Sequence, residues 1–286
     1  MKLRTLFYLA TFLSIAIISC KKDDDDDNVD DFDHAAQAIV DKEILVDYLK
    51  SHYYIAPLQD EYFGKIDTIL ETDNVTSLFD DIKLKKYNVT YNDIDYEYYS
   101  YEQEIGTQGI KASKADSVMV RYQGVLLDKS EEFDRSNFFN WFGLYNAGNY
   151  IVGFREGMQY FSGGENASVV GEPIKFTNTG KGFFIIPSGL GYRNIANGDI
   201  PASSCLVFHV DMGYVIIADN DNDGLTNIEE DLDGDGEAYN DDTDEDGYPN
   251  FVDADDDNDG TLTKDESKTE DADGDGIVDY LDPDTK

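Results

Sequence analysis

Acidic side chains recur at the spacing of a calcium-binding loop in the last quarter of the chain. A twelve-residue loop with carboxylates at positions 1, 3 and 5, glycine at position 6 and an acid at position 12 supplies the oxygen ligands that calcium prefers. The segment "DNDNDGLTNIEE", residues 219–230, satisfies this pattern, and residues 255–266 repeat it. These two segments predict calcium sites.

Three further copies of the pattern begin at residues 231, 242 and 271, and they close with aspartate where the two stronger copies have glutamate. Successive copies begin 12, 11, 13 and 16 residues apart, which leaves no room for the two helices that flank each loop of a calcium sensor. The array therefore resembles thrombospondin type 3-like or dockerin-like repeats, in which bound ions replace a hydrophobic core. We expect a structural brace, and an acidic tail without ligand geometry is the alternative.

The predicted metal ligands are the acids at the first, third, fifth and closing positions of the five copies. They are Asp219, Asp221, Asp223, Glu230, Asp231, Asp233, Asp235, Asp242, Asp244, Asp246, Asp253, Asp255, Asp257, Asp259, Glu266, Asp271, Asp273, Asp275 and Asp282.

Hydrophobic runs between residues 116 and 217 predict the elements that position a second kind of site. The segments 116–127, 180–192 and 205–217 are rich in Val, Ile and Phe and are punctuated by Gly and Pro, which is typical of strands. Residues 149–161 can supply one short helix. Strands around a single helix indicate an α+β fold and not an alternating βαβ arrangement.

The segment before this domain predicts an amphipathic helix, followed by a tyrosine-rich strand near residues 91–106. We assign residues 35–102 as a helical N-terminal segment. The apolar face of its helix is predicted to contain Ala36, Ile39, Val40, Ile44, Leu45 and Tyr48.

Four blocks occur in an order that resembles the FK506-binding-protein (FKBP) family of peptidyl-prolyl isomerases. They read "VRYQGVLLDKSEEFDRS", "YIVGFREGMQYFSGG", "FIIPSGLGYRN" and "IPASSCLVFHVDM". The resemblance covers residues 103–217, and it implies an antiparallel sheet wrapped around one short helix. It also implies a peptidyl-prolyl cis-trans isomerase that needs no cofactor and acts on proline-containing protein clients.

The same resemblance implies an aromatic substrate pocket. Phe154 would form its floor, Tyr192 would donate a hydrogen bond to the substrate carbonyl, and Asp134 would lie at the rim. The full set of implied pocket residues is Tyr122, Phe133, Asp134, Ile151, Phe154, Tyr192, Ile200 and Phe208.

Two departures from the family pattern bear on this pocket, since Phe154 stands where many members have Trp and Arg193 where Gly is usual. Which of Phe138, Phe139, Trp141 and Phe142 enters the pocket stays open. The alternatives are that these aromatic residues form an ordinary core, or that the domain survives as a non-catalytic peptide-binding platform in a surface adhesion or assembly module.

The first twenty residues combine a basic start, an apolar run and a cysteine, which predicts a secretory signal. The ending "IISC" resembles a bacterial lipoprotein box, so Cys20 is the expected lipid attachment and membrane anchor. Residues 21–34 form a like-charged run that predicts an extended tether. With its isomerase blocks, the chain resembles gliding-motility-associated isomerase lipoproteins, which implies an outer-membrane location that is periplasmic or surface-exposed.

The formal net charge of −39 argues against nucleic acid as a partner, because a phosphate-binding surface needs clustered Lys and Arg. Residues 218–286 complete the predicted division of the chain as acidic calcium-binding repeats. The three histidines, His34, His52 and His209, lack metal-ligand spacing.

Overall fold

The computed structural model describes residues 31–59 and 61–285. The predicted signal segment, Cys20 and most of the predicted tether lie outside the described residues. The elements are helices α1 (His34–Ser51) and α2 (Val152–Met158), and strands β1 (His52–Ile55), β2 (Lys65–Thr68), β3 (Leu84–Tyr91), β4 (Ile94–Glu104), β5 (Ser117–Leu126), β6 (Glu132–Gly143), β7 (Glu165–Asn166), β8 (Phe176–Thr177), β9 (Gly180–Ile186) and β10 (Leu206–Ile216).

A six-stranded antiparallel sheet in the order β3-β4-β9-β10-β5-β6 forms the centre of the molecule. Its middle strands, β9 and β10, are almost entirely buried. Burial on both faces explains why these strands read as continuous hydrophobic runs and not as alternating patterns. The predicted strands β5, β9 and β10 and the predicted short helix α2 are confirmed.

Helix α2 packs on one face of the sheet because two glycines four residues apart let it approach β9 closely. A Cβ atom on Gly153 would overlap Ile186, and one on Gly157 would overlap the ring of Phe184. Because of this close approach, Phe154 on the same helix packs in a core that includes Phe184 and Phe208.

Helix α1 covers the opposite face of the sheet, where Leu45 and Leu49 are fully buried beside Tyr99, Phe183 and Ile185. The predicted apolar face of this helix is therefore only partly correct. Four of its members are exposed, namely Ala36, Ile39 at 64%, Val40 at 47% and Ile44 at 43%.

The buried stripe of α1 runs instead through Asp41, Leu45 and Leu49, which are spaced four residues apart. Asp41 is fully buried, and its carboxylate accepts hydrogen bonds from the backbone N–H of Ser188 at 2.8 Å and from the Ser188 hydroxyl at 2.7 Å. A polar tether therefore fixes which side of α1 faces the sheet, and hydrophobicity alone could not predict this.

The N-terminal segment differs from the helical assignment of residues 35–102. After α1 it contains a β1–β2 hairpin and then β3 and β4, which join the central sheet. The predicted domain boundary at residue 103 consequently falls inside β4. The predicted mixed fold with a mainly antiparallel sheet is confirmed, with a second helix covering the face opposite α2.

Beyond Ile216, the described residues contain single-turn 3-10 helices and loops, with no further strand or α-helix. Two hydrogen bonds anchor the start of this region to the domain. The backbone N–H of Ala218 donates to Asp116 at 3.0 Å, and the Asn227 amide donates to the carbonyl of Ala115 at 3.0 Å. Within the described part of the chain, no helix has the length and apolar character needed to cross a membrane.

Candidate functional site

A pocket of about 470 Å³ opens between α2, the strands β5, β6 and β10, and the loops that precede α2 and follow β9. It is lined by Tyr122, Phe133, Asp134, Phe142, Gly148, Asn149, Tyr150, Ile151, Phe154, Tyr192, Asn197 and Phe208.

Aromatic rings form the floor and walls of this pocket. The ring of Phe154 lies 5.4 Å from Phe208, 5.4 Å from Phe142 and 5.8 Å from Tyr122, mostly edge to face. Phe133 packs edge-on against Phe208 at 5.6 Å. Edge-to-face contacts of this kind are favourable beyond their buried area, so the rings hold one another in place.

One phenol of the pocket is already engaged. The Tyr122 hydroxyl donates to the Asp134 carboxylate at 2.6 Å, and Asp134 also accepts the backbone N–H of Arg135. Burial, and then the hydrogen bond and negative charge of Asp134, raise the pKa of Tyr122 well above its usual range. Tyr122 therefore remains a neutral donor and orients the rim carboxylate.

A second phenol of the pocket is free to meet a ligand. Tyr192 is half-buried at the pocket wall, and among the described residues no group forms a hydrogen bond with its hydroxyl. Tyr192 thus presents an uncommitted phenolic donor above an apolar floor.

The structure brings seven of the eight predicted pocket residues together. Ile200 is the exception, since it is only 5% exposed and lies in the adjoining core without lining the pocket. Of the four aromatic residues of β6 that could enter the pocket, Phe142 is the one that lines it. Phe138 and Trp141 are substantially exposed, and Phe139 packs against Phe176 instead.

Sequence reasoning missed four lining residues, which are Gly148, Asn149, Tyr150 and Asn197. Gly148 and Asn149 precede α2 in a loop with no recognisable pattern. Tyr150 stacks against Phe154 at 6.0 Å. It is the first residue of the block "YIVGFREGMQYFSGG", and this position was the signal that could have identified it.

Arg193 adopts the left-handed backbone conformation that glycine favours, with φ of 57°. The loop after β9 consequently keeps its turn despite the substitution. Its backbone is fixed by the Arg193 N–H donating to the carbonyl of Ser188 at 2.9 Å, and by the Ser203 N–H donating to the carbonyl of Arg193 at 2.7 Å. Ser188 is in turn held by Asp41, so α1 supports the loop that carries Tyr192.

We predict that Asp41→Ala lowers the free energy of unfolding by about 2 kcal/mol, because a buried N–H and a buried hydroxyl lose their acceptor. Looser support of the Tyr192 loop should also reduce prolyl-bond turnover. Denaturant unfolding and a peptide isomerisation assay measure the two effects. Asp47→Ala, on the exposed side of the same helix, should change neither; equal effects of the two variants would contradict the prediction.

Two buried titratable groups on the opposite face of the sheet, His209 and Cys205, give no support to proton-transfer chemistry. Burial lowers the pKa of His209 to about 4, so its ring is neutral. Cys205 forms no disulfide among the described residues. Burial raises the pKa of its thiol, so the thiol stays protonated and the reactive thiolate does not form.

The acidic array repeats one backbone geometry. The glycine at position 6 of every copy has a positive φ, between 84° and 105°, and these glycines are Gly224, Gly236, Gly247, Gly260 and Gly276. In the copies that begin at residues 231, 242 and 271, the N–H of this glycine donates to the first aspartate at 2.7 to 3.0 Å. All five predicted turns therefore have the form that a calcium loop requires.

A second regularity closes these loops. In four copies the backbone N–H at position 2 donates to the side chain at position 9, and the N–H at position 9 donates to the carbonyl that precedes the copy. The position-9 residues are Asn227, Asn250, Thr263 and Asp279.

The carboxylates converge as metal ligands would. Groups whose ligand atoms lie within 4.8 Å of one another include Asp219 with Asp221 and Asp223; Asp221 with Glu230 and Asp256; Asp231 with Asp233 and Asp241; Asp242 with Asp244 and Asp246; and Asp255 with Asp257 and Asp259.

Two of these groups differ from the predicted ligand sets, because one includes Asp256 and another includes Asp241. Asp241, and not Asp242, joins Asp231 and Asp233, because the chain turns one residue earlier than a twelve-residue repeat implies. The carboxylate of Asp235 accepts the N–H of Glu237 and the amide of Asn240. In the last copy Asp271, Asp273 and Asp275 each accept backbone N–H groups within the turn, and Asp282 is buried and accepts from Thr285.

Several of these carboxylates are buried without partners, which fits a cation. Both carboxylate oxygens of Glu230 and of Glu266 lack a hydrogen-bond partner among the described residues. Burial and the neighbouring aspartates raise the pKa of Glu230 to about 9 and that of Glu266 to about 7. A bound divalent ion would remove this electrostatic cost.

Charged side chains connect the array to the helix that carries the pocket floor. Glu237 lies 2.7 Å from Arg155, the residue after Phe154, and 2.8 Å from Lys114. A cavity of about 970 Å³ lies between the array and the domain, and it shares Gly148 and Asn149 with the aromatic pocket. The array is thus positioned beside the site.

Comparisons with known proteins assign two parts of the chain. Residues 108–213 match the family model of FKBP-type peptidyl-prolyl cis-trans isomerases, and residues 220–271 match a family model described as BamM C-terminal. No curated protein matches the chain. The first match lies within the range predicted from the sequence, so the chain carries an FKBP-type peptidyl-prolyl cis-trans isomerase domain.

Solved structures include similar bacterial proteins. The peptidyl-prolyl cis-trans isomerase of Pseudomonas syringae pv. tomato is 26% identical over 47% of this chain and 82% of that chain, with a TM-score of 0.34. FkpA from Escherichia coli is also 26% identical, over 47% of this chain and 52% of that chain, with a TM-score of 0.34.

Proposed function

We propose that the FKBP-type peptidyl-prolyl cis-trans isomerase domain catalyses rotation of X-Pro bonds in protein clients, as a folding helper at the bacterial envelope. The observation that carries this proposal is the pocket itself, in which aromatic rings form the floor and walls beside an uncommitted phenolic donor, Tyr192.

The reaction requires rotation about a C–N bond over a barrier of about 20 kcal/mol, and no proton or electron has to move. The amide loses resonance as it twists, and its carbonyl becomes less polar than in the planar state. An apolar pocket that excludes water therefore favours the twisted amide over the planar one. Catalysis by such a site needs shape and desolvation, and it needs no nucleophile or cofactor.

The residues have distinct roles in this mechanism. The proline ring would sit on Phe154 between the rings of Phe142 and Phe208, and the Tyr192 hydroxyl would hold the substrate carbonyl. Tyr122 cannot fill the second role without releasing Asp134, to which its hydroxyl is bonded at 2.6 Å. Tyr122 and Asp134 would instead shape the rim.

We predict that Tyr192→Phe reduces kcat/KM for a proline peptide roughly tenfold, which corresponds to the loss of one hydrogen bond of about 1.4 kcal/mol. A protease-coupled isomerisation assay measures this, with FK506 as a competitor for the pocket. Tyr248→Phe, an exposed tyrosine in the acidic array, is the matched control and should be neutral.

Two outcomes would redirect the proposal. Unchanged turnover in Tyr192→Phe would remove the phenol from the mechanism. A folded protein that binds FK506 but gives no turnover would favour the alternative function, a peptide-binding platform in a surface adhesion or assembly module.

We further propose that the acidic array binds calcium as a brace and that lipid on Cys20 anchors the chain to the outer membrane, on its periplasmic or exposed side. Support for calcium comes from the oxygen-only ligand groups and from the buried carboxylates without partners. Support for the anchor comes from the sequence around Cys20. Metabolic labelling with a palmitate analogue, compared between the wild type and Cys20→Ser, tests the attachment.

A further inference from the structure

We propose that one calcium ion bridges the first and fourth loops of the array, with Asp256 as a ligand from outside the first loop. Ligand oxygens of Asp221, Glu230 and Asp256 lie within 4.8 Å of one another. Asp221 and Glu230 belong to the first copy of the repeat and Asp256 to the fourth. This inference rests on the proposed calcium binding. It goes further in proposing that one ion is shared between two loops, so that the loops are cross-linked.

The burial of these acids is the independent observation that points to a cation. Glu230 is 0% exposed and Asp256 is 1% exposed. Both carboxylate oxygens of each residue have no hydrogen-bond partner among the described residues. Buried charges are normally paired or bound to a metal, because an unpaired buried charge is very costly. A cation between these four buried carboxylate oxygens would compensate the cost of burying them without partners.

The lysine beside this cluster does not supply that charge. The ammonium group of Lys268 lies 3.1 Å from the carboxylate of Asp223 and donates to the backbone carbonyl of Thr263. In the described part of the chain it forms no hydrogen bond with Asp256 or Glu230. Lys268 therefore balances the neighbouring Asp223 and leaves the bridging cluster negative.

The position of Asp256 in its own loop explains why its side chain is available. It occupies position 2 of the fourth copy, which is not a ligand position in a calcium loop. Its backbone N–H donates to the Thr263 hydroxyl at 3.0 Å, which closes its own loop without using the carboxylate. The carboxylate groups instead with the first loop, and a ligand set of oxygens alone selects calcium over softer metals.

The cross-link has a structural consequence for the whole array. The first loop is attached to the isomerase domain through Asn227 and Ala218. An ion shared with Asp256 ties the fourth loop, 26 residues farther along the chain than Glu230, to this attached loop. The array would then close on itself rather than extend as a string of independent loops.

Calcium titration of the full chain by calorimetry and native mass spectrometry tests the bridge. The variants are Asp256→Asn and the control Asp265→Asn, which makes the same change at an exposed residue of the same loop. We expect Asp256→Asn to lose one ion or to weaken one site at least tenfold, and Asp265→Asn to bind as the wild type does.

A calcium affinity of Asp256→Asn that is equal to or higher than that of the wild type would contradict the bridge. If Asp256 is not a ligand, its replacement only relieves repulsion among buried carboxylates, so calcium affinity would be unchanged or higher, and the bridge would be overturned. Thermal unfolding in the presence of calcium shows that the variant still folds. A wild type that takes up no calcium would instead refute the proposed calcium binding itself, so the two failures are distinguishable.

A second pair of variants tests whether the ion is shared. Glu230→Gln should lose the same ion as Asp256→Asn, and the double variant should lose no further ion, because both acids bind one site. Loss of two ions in the double variant would contradict a bridge. Glu229→Gln, the exposed neighbour of Glu230, should leave the ion count unchanged.

Discussion

Replacement of Phe154 by alanine should lower the free energy of unfolding by about 3–5 kcal/mol and remove most prolyl-bond turnover. The side chain is 5% exposed, and its ring contacts rings from β5, β6, β9 and β10. Its loss leaves a cavity in the core and deletes the floor of the substrate pocket at the same time. Denaturant unfolding measures the first effect and the protease-coupled assay the second.

The two effects are separable because turnover can be measured under conditions where the variant is folded, as judged by near-ultraviolet circular dichroism. Phe138→Ala is the matched control, since this ring is 77% exposed on β6, and surface substitutions usually change stability by less than about 0.5 kcal/mol. Full turnover by folded Phe154→Ala would exclude this ring as the floor of the active site.

The same buried rings explain how much of the fold could be predicted. Strands β9 and β10 are buried on both faces, so they carry hydrophobic runs that sequence reasoning detects. Strand β6 lies at the sheet edge, where most of its residues are exposed or half-buried, and its aromatic residues could not be assigned to a face. Phe142 and Phe138 are the same residue type on the same strand, and only tertiary contacts place Phe142 in the pocket and leave Phe138 exposed.

Tertiary contacts explain the larger errors. Ile39, Val40 and Ile44 form a plausible apolar face on α1. The hydrogen bonds between Asp41 and Ser188 instead turn the Asp41 side of the helix toward the sheet, and these three residues are exposed. The acceptor and its donors are 147 residues apart, so no local pattern connects them. Ile200 was implied by the family resemblance, yet it packs in the core beside the pocket.

The array shows the same division between local and tertiary information. Glycine at position 6 and the acids at positions 1, 3 and 5 are local requirements of one loop, so their phase could be read directly. Asp241 and Asp256 occupy positions that the repeat does not assign to ligands, and they become candidates only because neighbouring segments bring them to other carboxylates. Repeats can therefore predict a loop and still miss what joins one loop to the next.

Removal of calcium should unfold the array and leave the isomerase domain folded. Residues 218–285 contain few buried apolar side chains, and their closely grouped carboxylates repel one another when no cation is bound. Each ion present at about 100 times its Kd stabilises the folded array by about 2.7 kcal/mol, so several sites together contribute as much as the whole stability of many small domains.

Hydrogen exchange measured by mass spectrometry, with calcium and with excess chelator, checks this prediction. We expect amides of residues 218–285 to lose protection on chelation, and amides of β5, β9 and β10 to keep theirs because their core contains no carboxylate cluster. The central strands are therefore the internal control. Protection of the array that survives chelation would show that packing, and not an ion, holds the loops.

Chelation should change prolyl-bond turnover much less than it changes the folding of the array. Chelation removes Glu237 from Arg155 and Lys114, but Lys114 also lies 3.4 Å from Glu156, and Arg155 donates to the carbonyl of Leu144 at 2.7 Å. These contacts within the domain hold α2 in place, so Phe154 should keep its position. A large loss of turnover on chelation, with β9 and β10 still protected, would mean that the array forms part of the substrate site through the cavity beside Asn149.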